Sequence, residues 1–204
     1  MRRERTWSEL RLLGITPHPG LPTVDDLSLS RGRNQIQDRT LALFACISAS
    51  FGFPRHRARA WLVCEQADQA LEPQEDHFLS TGDEGMIRLL KPQVEGLWAL
   101  NWCLGRHQQP LGSRPLPNDA VDGFPNLKGD QPSESWRTEC QVLDGSRILD
   151  ELDLLYCLHW AAIECRRTNR QVNLGLNEQS IRERRRALEW LFAKDTWYSI
   201  PLDT

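Results

Sequence analysis

The stretch Ile148-Leu-Asp-Glu-Leu-Asp-Leu-Leu-Tyr-Cys-Leu-His-Trp-Ala-Ala-Ile163 constrains this chain more than any other. It is too long and too dense in large apolar residues to be a surface helix, so it must lie at the centre of whatever forms around it. At about 100° per residue, Ile148, Leu152, Leu155, His159 and Ala162 fall along one stripe, widened by Tyr156 and Ile163. His159 therefore sits within the apolar face. The carboxylates Asp150, Glu151 and Asp153 scatter around the axis near the helix start, where negative charge is favoured. Glu151 is two turns from His159, too far for a hydrogen bond within one helix. The stripe reads as a core helix with a structural histidine more readily than as a catalytic helix.

The rest of the chain follows the same helical period. Ser8 to Leu13 predicts a short helix ending at Gly14, after which Pro17, Pro19, Gly20 and Pro22 enforce an extended turn region. Residues 1–33 thus form an extended N-terminal segment. Ile36, Leu41, Leu43, Phe44, Ile47 and Phe51 recur at helical steps until Gly52 and Pro54. A helix from about Arg55 to Leu71 follows, then a short one from Pro73 to Leu79. Met86, Ile87, Leu90, Val94, Leu97, Trp98, Leu100 and Leu104 continue the period, with a break expected at Pro92 and a stop at Gly105. After the 148–163 helix, Asn177 is a natural N-cap for a last helix to about Lys194. No alternating strand pattern of useful length and no internal repeat is present. The expected fold is all-α: a single compact domain, residues 1–204, of about six or seven helices.

Residues 106–144 break this pattern. Pro110, Gly112, Pro115, Pro117, Gly123, Pro125, Gly129 and Pro132 punctuate a connection far longer than a compact domain ordinarily carries. It reads as a loop draped over the core, with a lid and a flexible insertion as alternatives.

Charge is unevenly spread although the net value is only −3. Residues 65–84 carry Glu65, Asp68, Glu72, Glu75, Asp76, Asp83 and Glu84 without a lysine or arginine. They read as a solvated edge or as a docking face for a basic protein partner. Basic residues concentrate before residue 60 and at Arg182-Glu-Arg-Arg-Arg186, and nearly all are arginines, which favour bidentate carboxylate partners. On a helix the 182–186 charges spread around the circumference, which favours ion pairs over a nucleic-acid track.

Motifs for known chemistry are missing. There is no HExxH, GxSxG, P-loop or GxGxxG before a helix. Cys157 and His159 point about 200° apart, and His18, His56, His77 and His107 lack partners at zinc spacing, so no metal and no cofactor are expected. Six cysteines without a CxxC pair, in helical apolar contexts, suggest free thiols. The first ten residues lack the apolar core of a signal peptide, and no run approaches bilayer length, so a cytoplasmic setting without membrane contact is expected.

Several ordered blocks resemble one family. These are Leu21-Pro22 with Arg31 and Gln35-Ile36…Arg39; Leu71-Glu-Pro-Gln-Glu75 with Phe78-Leu79; Val94-Glu-Gly-Leu-Trp-Ala-Leu-Asn-Trp-Cys-Leu-Gly105; Ile148 to Tyr156 with His159-Trp-Ala161; and Glu183-Arg184, Ala187-Leu188, Trp190-Leu191, Trp197 and Asp203-Thr204. Together they resemble a bacterial family known as domain of unknown function 4272. The chain departs from it at Lys91-Pro92, where a Trp-Arg pair is usual, and at Tyr198, where an acid is usual. The resemblance implies a cytoplasmic, helical, bacterial protein and brings no active site with it.

The leading functional expectation is a non-enzymatic protein that binds a protein partner through the acidic 65–84 edge and the 106–144 loop. Its concrete form is an immunity protein neutralising a secreted antibacterial toxin. The alternative is an enzyme with a pocket around His159, served by groups such as Glu183 or Asp119 from other segments. Nucleic-acid binding through Arg182–Arg186 ranks third.

Overall fold

A computed structural model describes residues 2–112, 114–169 and 176–203. Every regular element in it is helical: α1 (Arg2–Leu12), α2 (Arg33–Ser50), α3 (Arg55–Cys64), α4 (Pro73–Thr81), α5 (Glu84–Leu90), α6 (Val94–Cys103), α7 (Glu134–Glu139), α8 (Gly145–Arg167) and α9 (Glu178–Phe192), with short 3₁₀ turns between some of them. The all-α expectation holds. The period over 83–104 divides into α5 and α6 because Pro92 sits in a 3₁₀ turn, Lys91–Gln93, that breaks the α ladder.

Helix starts follow their capping chemistry. Gly32 donates its N–H to Gln35 Oε1 at 2.9 Å, and Glu72 donates its own to Glu75 Oε2 at 3.0 Å. Asp144 Oδ1 and Asn177 Oδ1 accept the N–H groups of Ser146 and Ser180 at 2.8 Å, opening α8 and α9. The expected helix from Arg55 to Leu71 stops instead at Cys64. Gln66 adopts a left-handed φ of 55°, and Asp68–Ala70 forms a separate 3₁₀ turn. The first helix begins six residues earlier than its apolar pattern predicts, because its arginines are held by α8.

α6, α8 and α9 form the centre, with α9 packed on both of the others, α1 laid along α8, and α2 against α3, α5 and α6. Gly96 leaves room for α9 and the tail against α6: a Cβ there would stand 3.1 Å from the Glu183 carbonyl and 3.4 Å from the Trp197 ring. Side chains from every helix and from the tail converge in one core, α7 contributing Trp136.

The acidic start of α8 does more than favour a dipole. Asp153 is fully buried and accepts from Thr6 Oγ1 at 2.6 Å, Arg3 Nη2 at 2.7 Å and the Val24 N–H at 3.1 Å. Asp150 pairs with Arg2 and Arg5 at 3.0 and 3.2 Å. Together they fasten the N-terminal segment to the central helix.

Three of the four arginines of the α9 run are also internal, and Arg182 is exposed. Arg184 bonds Glu95 at 2.7 Å and Arg186 bonds Glu183 at 3.0 Å, all but Glu95 being buried. Arg185 contacts Glu189 at 3.1 Å and the carbonyls of Leu202 and Asp203 at 3.3 and 3.1 Å, which seats the tail. Glu178 at the start of α9 pairs with Arg166 of α8 at 3.1 Å.

Candidate partner-binding cleft

The 106–144 segment is draped over the body and stapled along its length. Near its start, the Leu111 N–H donates to buried Glu151 Oε1 at 2.8 Å, and the Leu111 and Arg114 carbonyls accept from Arg184. Phe124 stacks between Phe44 and Trp136, ring centroids 4.6 and 5.9 Å away. Trp61 Nε1 donates to the Gln131 carbonyl at 2.9 Å. At its end, Gln141 and Leu143 donate to the Leu104 and Cys103 carbonyls at 2.8 and 2.9 Å, satisfying the C-terminus of α6. Gly105 permits this crossing, because a Cβ there would lie 2.8 Å from the Gln141 carbonyl.

Between those staples, α7 comes down beside α2 and the end of α3 and encloses an open polar cleft of about 590 Å³. Glu65, just past the last turn of α3, accepts from the Ser133 N–H at 2.8 Å and from its hydroxyl. Arg137 Nη1 bonds Asp38 Oδ1 at 2.6 Å, and its Nη2 bonds the Glu65 carbonyl at 3.2 Å. Gln37 donates to the Arg137 carbonyl at 2.8 Å, as does Arg33. Asn34, Gln66, Glu134 and Thr138 complete the lip and are exposed. Buried Cys140 lies beneath, and burial pushes its thiol above the ordinary cysteine range.

Asp38 also lines a second cleft, of about 440 Å³, on the other side of α2. There Arg31 stacks over the Trp190 ring at 4.8 Å and donates to the Asp195 carbonyl at 2.7 Å, and Lys194 and Gln35 are exposed. The two clefts flank the N-terminal half of α2 and share Asp38. Their lips carry hydrogen-bonding groups of both kinds, and the Arg137–Asp38 pair is half-buried rather than sealed.

The seven predicted acidic residues do not share one free face. Glu75 is fully buried against Arg39. Glu72 accepts from the Trp197 N–H at 2.8 Å, Asp76 pairs with Arg59 at 2.9 Å, and Asp83 caps α5. Asp68 is half-buried beside Gln69, and Glu84 is exposed. Only Glu65 and Glu72 line the clefts. Asp38, Arg33 and Arg137 were not singled out by sequence. The available signal was Ser133 before Glu134, a helix-start pattern inside a stretch that otherwise reads as loop.

His159 is buried, and its Nδ1 accepts from Arg185 Nη1 at 3.0 Å. Burial, reinforced by Arg185, Arg182 and Arg166, lowers its pKa to about 4. A neutral imidazole with Nδ1 already bonded orients Arg185 toward the tail. Neither Glu183 nor Asp119 partners it, and it lines none of the four clefts described in the structure. Among the described residues no three His, Cys, Asp or Glu side chains converge as a metal site would require. All six cysteines are free, Cys64 being exposed at the cleft. No helix among the described residues is long and apolar enough to cross a membrane.

The fold and the cleft define an all-helical protein with one core, whose long irregular segment is built into the body and shapes its main polar concavity. Residues 2–200 match the family described as Domain of unknown function (DUF4272), and the chain belongs to that family. No curated protein and no solved structure matches it significantly.

Proposed function

We propose that this chain is a non-enzymatic bacterial protein of the cytoplasm that binds a protein partner, and that its binding face is the mixed-charge cleft around the N-terminal half of α2. A cognate antibacterial toxin, neutralised on binding, is the concrete partner. The observation that supports this reading is the meeting of the acidic segment and the long loop at Glu65 and Ser133, which joins the two regions of the sequence with most to offer a partner. Charged lips around a solvated concavity favour rapid, selective association with a complementary protein surface.

The experiment is co-purification with the product of a neighbouring toxin-like gene, and growth of a deletion strain under that toxin. Asn34→Trp fills the cleft mouth and Glu134→Arg reverses its lip; both positions are exposed and hold no described side-chain bond. Each variant should lose the complex and the protection while melting like the parent. Equal toxin resistance with and without the gene, or full binding by both variants, refutes the proposal.

A further inference from the structure

The turn between α2 and α3 opens a second, chemically different concavity. Gly52 takes a φ of 101°, which lets the chain reverse within Phe51-Gly52-Phe53. Phe51 is left 64% exposed. The facing wall is the 121–128 part of the long loop, and the groove between them measures about 830 Å³. Phe44, Phe51, Phe53 and Phe124, four of the chain's six phenylalanines, line it with Val121, itself 44% exposed. Phe44 and Phe124 are buried in the floor and Phe53 is half-buried, so the open apolar surface is that of Phe51 and Val121, which gains free energy from an apolar occupant.

The charges at its edge select the occupant. The chain has only three lysines, and two of them are here. Lys128 lines the groove, and Lys91 Nζ stands 5.5 Å from the Phe51 ring centroid. Neither makes an ion pair among the described residues, where most arginines do. Arg57 lines the groove as well, but Asp130 neutralises it at 2.8 Å. Asp122 is the single carboxylate in the lining. With Arg57 paired to Asp130 and Lys128 set against Asp122, the surplus of one positive charge is carried by Lys91 at the rim, beside the Phe51 ring.

We propose that this groove binds a small amphipathic anion, its apolar body on the phenylalanines and its carboxylate-like head between Lys128 and Lys91. The volume lies within the range of small-molecule sites, roughly 300–1,000 Å³. Lysine suits a head group of variable geometry, because its ammonium acts as a point charge rather than a planar fork.

The test is calorimetric titration with decanoate, decylamine and decanol, each kept below its aggregation threshold. Decanoate should saturate one site, decanol should bind about tenfold more weakly, and decylamine more weakly still. Lys128→Glu and Phe51→Ser should each weaken decanoate about tenfold or more, and Asp122→Asn should strengthen it. Glu134→Arg in the polar cleft should leave it unchanged, which separates this site from the partner-binding face. Absence of saturable decanoate binding, equal affinity for the three probes, or indifference to Lys128→Glu overturns the proposal. Sedimentation of the unliganded protein covers the other occupant: a dimer abolished by Phe51→Ser, without decanoate binding, makes the groove a contact between copies and also overturns it.

Discussion

Arg39 and Glu75 meet as a two-point ion pair sealed inside the protein: Nη1 lies 2.7 Å from Oε2 and Nη2 2.6 Å from Oε1, with the side chains 3% and 0% exposed. Tyr198 donates its hydroxyl to Glu75 Oε1 at 2.8 Å, and Trp197 lies under the guanidinium at 4.8 Å. Burial disfavours the charged guanidinium, but the facing carboxylate outweighs it and holds Arg39 above its ordinary value. Glu75→Gln or Arg39→Met alone should cost about 3–5 kcal/mol, since each leaves a buried partner uncompensated. The pair Arg39→Met with Glu75→Leu should recover most of that loss. Urea unfolding of the four proteins in this cycle tests the coupling, and additive single effects would contradict it.

His159 makes stability fall in mild acid. Its folded pKa of about 4 lies below the ordinary 6.5, so the unfolded chain takes up the extra proton. The contribution is fully present above pH 6.5 and is lost as pH falls from there toward 4, up to about 3 kcal/mol. His159→Gln, which can still accept from Arg185, should flatten the dependence of melting temperature on pH between 6.5 and 4.5. An unchanged slope would show that the imidazole is not its source.

Glu151 acts in the opposite sense. Burial raises its pKa above the ordinary glutamate value despite the N–H of Leu111. A raised carboxyl pKa favours the folded state below the ordinary value, and that contribution is lost as pH rises through the folded one. Glu151→Gln keeps an acceptor for Leu111 and removes the buried charge. Its melting temperature should exceed the parent's at pH 7.5, with the gap closing near pH 4. A lower melting temperature at pH 7.5 would mean that Leu111 requires the ionised acceptor.

Trp197 is fully buried, and its Nε1 donates to Gln93 Oε1 at 2.8 Å. Trp197→Ala should cost about 3–5 kcal/mol from the cavity. Trp197→Phe should cost less, about 1–3 kcal/mol, chiefly by stranding the Gln93 carbonyl oxygen. Chemical denaturation distinguishes them, and equal losses would assign the whole effect to the hydrogen bond.

α7 is held to the body by polar contacts as well as by Trp136. Glu65→Ala releases Ser133 and should raise amide exchange over residues 133–140 while α8 and α9 stay protected. Uniform protection would show that the aromatic stack of Phe124 and Trp136 is sufficient.

Helices with a long buried stripe were legible from spacing. The apolar steps over 34–51 and 148–163 became α2 and α8, because burial of a face imposes its period on the sequence. Asn177, Pro92 and Gly105 marked the start of α9, the break between α5 and α6 and the end of α6 for local reasons that need no partner. Charged positions behaved differently. Glu75 looks like one of seven solvated acids, and only Arg39, 36 positions earlier, makes it a core residue. Arg184, Arg185 and Arg186 look like a surface run, yet Glu95, His159 and Glu183 draw them inside. The cleft was half visible: the acidic segment and the loop were marked, but Asp38 and Arg137 join them through a pair 99 positions apart. Spacing along a chain carries no record of such pairs.

The seating of the tail also has a consequence in time. Glu72 and Trp197, which bond in the folded protein, lie 125 positions apart. At roughly 5–20 residues per second, that separation is on the order of ten seconds of synthesis. Through that interval the nascent chain holds the Arg39–Glu75 pair without the tryptophan and tyrosine that enclose it, and α2 and α6 without α9. Closure around Arg39 and Glu75 therefore comes only after Trp197 and Tyr198 have been synthesised.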